Sequence, residues 1–291
     1  MKSLKLMLAA LLLMAVALAG CGNPKESGEE KNSANKEEQI TIHHIRNATE
    51  VVEYAGKKFL IDPMLAAKGT YEPFPNALRN DPNPLVDLPT SIDSIIKDVD
   101  AILLTHLHYD HFDDAAKTVL PKDIKIFVQS EADAKEVKKS GFQDVEVLQE
   151  DTVFEDVQLI KTEAQHGRGE MAVAAGSVMG FVFKHPDEKT LYVAGDTVWY
   201  EAVQKVIDTH KPEIIIVNGG DNQFLQGGSL IMGKEDIHKV YQAAPDSKII
   251  VVHMEAVNHW ALSRKELKAF IKEKEMSSNV LVPDDGEAYS F

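Results

Sequence analysis

Apolar positions follow three successive regimes along the chain. Residues 6–20, "LMLAALLLMAVALAG", are continuously apolar. Residues 22–38, "GNPKESGEEKNSANKEE", contain no aromatic or branched aliphatic side chain. From Gln39 onward, short apolar runs alternate with turn residues. "QITIHHI" and "EVVEY" predict strands, and "AGKK" (55–58) predicts a hairpin turn into "FLI". Further strands are expected at "AILL", "IKIFVQ", "VEVL", "TVFE", "VQLIKT", "GFVFKH", "LYVAG", "EIIIVN" and "KIIVVH", with "PDEK" (186–189) joining two of them as a hairpin. Helical spacing predicts a short helix after a Thr90 or Ser91 cap, one after Ser130 that stops at Gly141, and others over 198–210 and 234–244. Ser263 and Glu266 make a capping box for a last helix. Residues 63–90 are rich in Pro, Asn and Asp, too long for an ordinary connection, and predict a lid or an irregular excursion. Grouped strands followed by alternating strands and helices predict an α/β body, two sheets face to face with helices outside.

Composition separates the body from what precedes it. Lys2 and Lys5 ahead of the apolar run make residues 1–20 a secretory signal, too short and wrongly flanked to span a membrane. Its end, "LAGC", resembles the lipobox of bacterial lipoproteins, which implies cleavage before Cys21, a lipid on its sulfur, and residence on the extracytoplasmic face of the cell membrane. Residues 21–38 then form a disordered tether reaching roughly 20–25 Å. Cys21 is the sole cysteine, so no intrachain disulfide forms and any metal site in the body, 39–291, must use His, Asp and Glu. Loss of Lys2 and Lys5 takes the formal charge from −15 to −17. So acidic a body argues against nucleic acid as a partner and leaves a small-molecule substrate.

Polar clusters recur where apolar strands end. "AILLT" runs into His106, His108, Asp110 and His111; "VQLIKTEAQ" leads to His166; "LYVAG" ends at Asp196; "KIIVV" ends at His253. Imidazole and carboxylate together suit a divalent metal such as zinc, manganese or iron. Extended backbone sends His106 and His108 to one side, and a tightening of the chain turns Asp110 and His111 to the other. One segment can thus feed two neighbouring ions.

"HLHYDH" (106–111), with His166, "GDT" (195–197) and His253 in order, resembles the signature of the metallo-β-lactamase superfamily. "LIDPML" (60–65) resembles its second hairpin strand. The resemblance implies a four-layer αββα sandwich. Within the superfamily the body most resembles the L-ascorbate-6-phosphate lactonase-like branch, whose first hairpin often carries a histidine where this chain has Asn47 in "RNAT". What the family implies is two metal ions: one on His106, His108 and His166, a second on Asp110, His111 and His253, with Asp196 bridging. A hydroxide held between them would attack an ester, lactone, amide or phosphodiester, and Asp110 would orient it or take its proton.

His259, six residues past His253, competes for the second site or faces substrate. Asn218, Asp221 and Asn222 either line the cleft or form turns. Asp113 and Asp114 start a helix, and Trp199 and Tyr200 pack in the core or wall the pocket. His43, His44, His185, His210 and His238 lie outside any ligand motif and are expected at the surface or satisfied in the core. The alternative from another class is a lipoprotein that binds a ligand or metal without turnover.

Overall fold

The computed structural model describes residues 39–291, so the apolar leader, Cys21 and the tether lie outside the described residues. The first half begins with β1 (Thr41–Arg46), β2 (Thr49–Tyr54) and β3 (Lys57–Ile61). Ala55 and Gly56, both at positive φ, make the two-residue turn between β2 and β3 that strand twist favours. After α1 (Ile92–Ile96) come β4 (Ala101–Leu103), α2 (Asp114–Val119), β5 (Lys125–Val128), α3 (Glu131–Lys139) and β6 (Val145–Val147). The second half holds β7 (Thr152–Phe154), β8 (Val157–Glu163), α4 (Glu170–Ala175), β9 (Met179–Lys184), β10 (Leu191–Val193) and α5 (Glu201–His210). It continues with β11 (Ile214–Asn218), α6 (Lys234–Ala243), β12 (Lys248–Val252), α7 (Arg264–Glu273) and β13 (Val280–Leu281). The last strand, β14 (Ala288–Ser290), returns to the first sheet beside β1.

Two seven-stranded sheets result, ordered β14-β1-β2-β3-β4-β5-β6 and β13-β12-β11-β10-β9-β8-β7. Their central strands are apolar on both faces because both faces are covered. In β4, Ala101 and Leu103 enter the core between the sheets, while Ile102 and, just past the strand, Leu104 pack under the helices of the first half. In β12, Ile250 and Val252 face the other sheet, whereas Ile249 and Val251 pack with Leu267 and Ile271 of α7. The order of layers is therefore helix, sheet, sheet, helix, the predicted four-layer sandwich.

Caps fall where the sequence puts them. Ser91, Asp113, Ser130 and Ser263 each accept a backbone N–H, and Ser263 with Glu266 completes the capping box. One boundary changes, some short elements are added, and one open alternative resolves. The helix predicted from 198 begins at Glu201, because Trp199 is held in the preceding loop by its N–H to the Asp236 carboxylate. The short elements α4, β13 and β14 appear without a sequence forecast. Residues 63–90 form a docked irregular excursion, fastened by Asn258, whose side chain bonds Phe74, Arg79 and Asn83. Among the described residues, no helix is long and apolar enough to cross a membrane.

Strands β3 to β6 run parallel, as do β10 to β13. Their carboxyl ends gather the polar residues described next.

Candidate metal centre

Asp62, at the end of β3, sets the start of the site. Its carboxylate accepts the Thr105 N–H at 2.8 Å and the Thr105 hydroxyl at 2.6 Å. This pins the chain as it leaves β4. The N–H groups of His111 and Phe112 both donate to the His108 carbonyl, so the backbone turns sharply there. His106 and His108 fall on one side of that turn, Asp110 and His111 on the other. His106 Nε2 and His108 Nδ1 lie 2.9 Å apart, and both belong to a group with His166. His111 Nε2 and His253 Nε2 lie 3.1 Å apart and group with Asp110.

Asp196 stands between these groups. Its Oδ2 is 3.3 Å from His111 Nε2 and 3.4 Å from His166 Nε2; its Oδ1 is 3.7 Å from His253 Nε2. Gly195 makes this placement possible. It sits at φ +67°, and a Cβ there would stand 2.5 Å from the Met179 carbonyl oxygen. His253 also has left-handed backbone, at φ 58°, as do Asn47 at 59° and Asp62 at 44°. Non-glycine residues hold such backbone only where surrounding bonds compel it. Here the Asn47 carbonyl accepts the His253 N–H at 2.6 Å, and the Asn47 amide donates to the Asp110 carbonyl at 2.8 Å. Asn47 is thus a buried brace joining two site segments.

The structure brings all seven sequence-predicted metal residues into one cluster. His259 belongs to none of the three candidate ligand groups among the described residues. It stacks on Phe224, meets the edge of Phe74, and approaches Asn222 at 3.3 Å. Asn218 lies beneath the cluster, where its amide donates to Asp196 Oδ1 at 2.6 Å. Trp199 and Tyr200 pack against the core under α5. Of the histidines outside the motifs, His44 is buried against Glu50 and His185 lies 3.6 Å from Asp156.

Sequence reasoning missed several participants. Asp62 also accepts the His111 Nδ1–H at 2.8 Å. It is a carboxylate at a fifth strand end, so the signal was present in "FLID". Phe74 and Met171 carried none, because only the folded chain brings their segments to the cluster.

Charge and burial act against each other here. Burial alone would lower His111, but Asp196, Asp62 and Asp110 outweigh it and hold the imidazole well above its ordinary value. Burial alone would raise Asp110 and Asp196; the surrounding imidazoles reverse this and hold both well below the usual carboxylate range. Burial keeps His106 and His108 low and therefore neutral. It also lowers His259, to about 4.

This donor set fits a divalent cation. His106 and His108, kept neutral by burial, present lone pairs, the carboxylates stay ionised, and a cation at the second group would take the place of the proton that Asp196, Asp62 and Asp110 hold on His111. The outer nitrogens are tied, His111 to Asp62, His166 to the Leu230 carbonyl and His106 to the Thr105 hydroxyl. Such partners fix ring orientation in metal sites. If His253 Nε2 held a cation its proton would sit on Nδ1, 3.3 Å from the Asn222 amide, which would accept it once turned over.

A cavity of about 200 Å³ opens above the cluster. His108, Asp110, His166 and Asp196 form its floor; Phe74, Phe224, Met171 and Leu230 supply an apolar wall. Among the described residues, no lysine or arginine lines it.

The profile of the beta-lactamase superfamily domain matches residues 57–254. The UPF0173 protein YddR of Bacillus subtilis is 68% identical over 254 residues, 87% of this chain and all of that protein. Among solved structures, an isothiocyanate hydrolase from Delia radicum gut bacteria is 42% identical with a TM-score of 0.83, covering 86% of this chain and 99% of its own. A possible metal-dependent hydrolase from Veillonella parvula is 41% identical with a TM-score of 0.85, covering 87% and 100%. With this fold and a donor set fit for divalent cations, the chain belongs to the metallo-β-lactamase superfamily, and within it to the UPF0173 family of metal-dependent hydrolases.

Proposed function

We propose that the protein hydrolyses a small neutral electrophile bearing an apolar group, an isothiocyanate, at a centre of two zinc ions. The observation that carries this reading is the cavity: apolar walls, a floor of histidine and aspartate, and no cationic side chain among its described lining residues. A phosphodiester, or the phosphorylated substrate of the ascorbate-phosphate lactonase branch, would bring negative charge to a pocket with no Lys or Arg to pair it. The isothiocyanate hydrolase that is 42% identical supports the substrate class. Seven donors in overlapping groups, with Asp196 between them, support two ions.

Bound cations would lower the pKa of water toward 7 and so supply a nucleophile at neutral pH. Asp110, held ionised, orients that water and takes a proton as its oxygen bonds to the central carbon of R–N=C=S. The carbon–nitrogen bond then breaks, nitrogen gains both water protons, and the products are R–NH2 and carbonyl sulfide. His259, neutral at pH 7, contributes with Phe74 and Phe224 an aromatic wall for R. Asn218 and Asn222 hold Asp196 and His253 in place. We further propose that the lipid on Cys21 keeps this body at the extracytoplasmic membrane face.

Zinc-loaded protein assayed against phenethyl isothiocyanate, a γ-lactone and a phosphodiester tests the reading. Amine release from the isothiocyanate, at least tenfold faster per enzyme than the other two reactions, is expected. Preference for the phosphodiester would overturn it.

A further inference from the structure

The cavity wall has three parts of unequal rigidity. Phe74 belongs to the excursion that Asn258 clamps through its backbone and through Asn83. Phe224 stacks on His259 and its neighbour Leu225 bonds the Asn76 carbonyl. Met171 stands on α4, which is held differently. None of the six residues of α4 is buried, Val173 is 85% exposed, and its N-cap is Gly169, with no side-chain cap bond. Gly167, Gly169 and Gly176 flank it, all at positive φ.

One contact fixes where Met171 lies. A Cβ on Gly227 would stand 2.5 Å from both Cγ and Sδ of Met171. The absent side chain of Gly227 is therefore the seat of the methionine, and that seat places the thioether along the cavity instead of within it. Methionine is unbranched and fills irregular apolar gaps, and its helix has no core anchorage to resist displacement.

We propose that Met171, seated on Gly227, is the specificity-determining residue that sets the length of apolar substituent the site accepts. This rests on the reading of the cavity as a site for an apolar group, and deepens it. A substituent rising from the floor meets His259 and Phe224 on one side and ends against Met171.

The test compares wild type, Met171→Ala and Gly227→Ala at equal zinc content. Turnover is measured on n-alkyl isothiocyanates from methyl to octyl, and binding is measured calorimetrically with the matching n-alkyl hydroxamates. In wild type, kcat/KM and affinity should rise about fourfold per methylene until the chain meets Met171, then level or fall. Met171→Ala should move that break outward by about three carbons, for the three heavy atoms removed. Gly227→Ala, whose Cβ would collide with Cγ and Sδ of Met171 at a backbone φ of +104° that also strains alanine, should move the break in protein shown by its melting curve to be folded. An unmoved break in Met171→Ala, in both series, overturns the proposal. If hydroxamate binding shifts while no isothiocyanate is turned over, the substrate reading falls and the role of Met171 stands.

Discussion

Asp62 joins β3 to the site through three accepted bonds, two from Thr105 and one from His111. Burial pushes its carboxyl up, while His111 and the Thr105 donors pull the other way. Its value to the site lies in the tautomer: a proton fixed on His111 Nδ1 leaves Nε2 as the donor atom. Asp62→Ala should cut cation affinity by about 10–100-fold in protein that still folds. Competition against a chromophoric chelator measures this, and unchanged affinity would remove Asp62 from the centre. At this scale the sequence exposed what is contiguous. His106, His108, Asp110 and His111 stand within six residues, and His166, Asp196 and His253 each close an apolar strand. Asn47 and Asn222 were not legible as braces, because a brace is defined by what lies across from it.

Strands and capped helices were legible because each is encoded locally, by alternation, by apolar runs, or by Ser and Asp at an N-cap. The elements that escaped lack such a code: α4 has glycine at its cap, β13 spans two residues, and β14 pairs with a strand at the far end of the body. One cluster shows how such elements are held. His44 on β1 bonds Glu50 on β2 at 2.6 Å and lies 3.4 Å from Asp285, in the loop before β14, and Arg264 at the start of α7 also pairs with Asp285. Burial alone would lower the His44 imidazole, yet Glu50 and Asp285 outweigh it and push it up to about 9. A histidine raised in the folded state adds stability that is complete below about pH 6.5 and is lost as pH rises through about 9. The melting temperature of wild type should therefore fall between pH 7 and 9.5, and that of His44→Gln should fall less. Parallel curves for the two proteins would show that His44 carries no such linkage.

At the scale of the molecule, the pairing of the sheets was legible only in outline. Apolar strands with both faces buried call for two covered sheets, but the neighbours of each strand follow from contacts distant in sequence. The chain is acidic, at −15, and would stand at −17 without Lys2 and Lys5, so it gains nothing from an anionic membrane surface. Under the proposed anchor the lipid is then the main hold. Cys21→Ser should shift the protein from the membrane pellet to the soluble fraction, read by immunoblot, and an unshifted mutant would refute the anchor. The closing strand bears on how such a protein is made. Thr41 of β1 and Ser290 of β14 are paired neighbours separated by 249 positions, and the Phe291 N–H reaches the Ile40 carbonyl at 3.0 Å. A chain emerging from its amino end presents β1 long before β14 exists to cover it, and an uncovered strand edge invites another chain. The first sheet is thus latched by residues synthesised late, so its β1 edge stays open until nearly all of the body has been made.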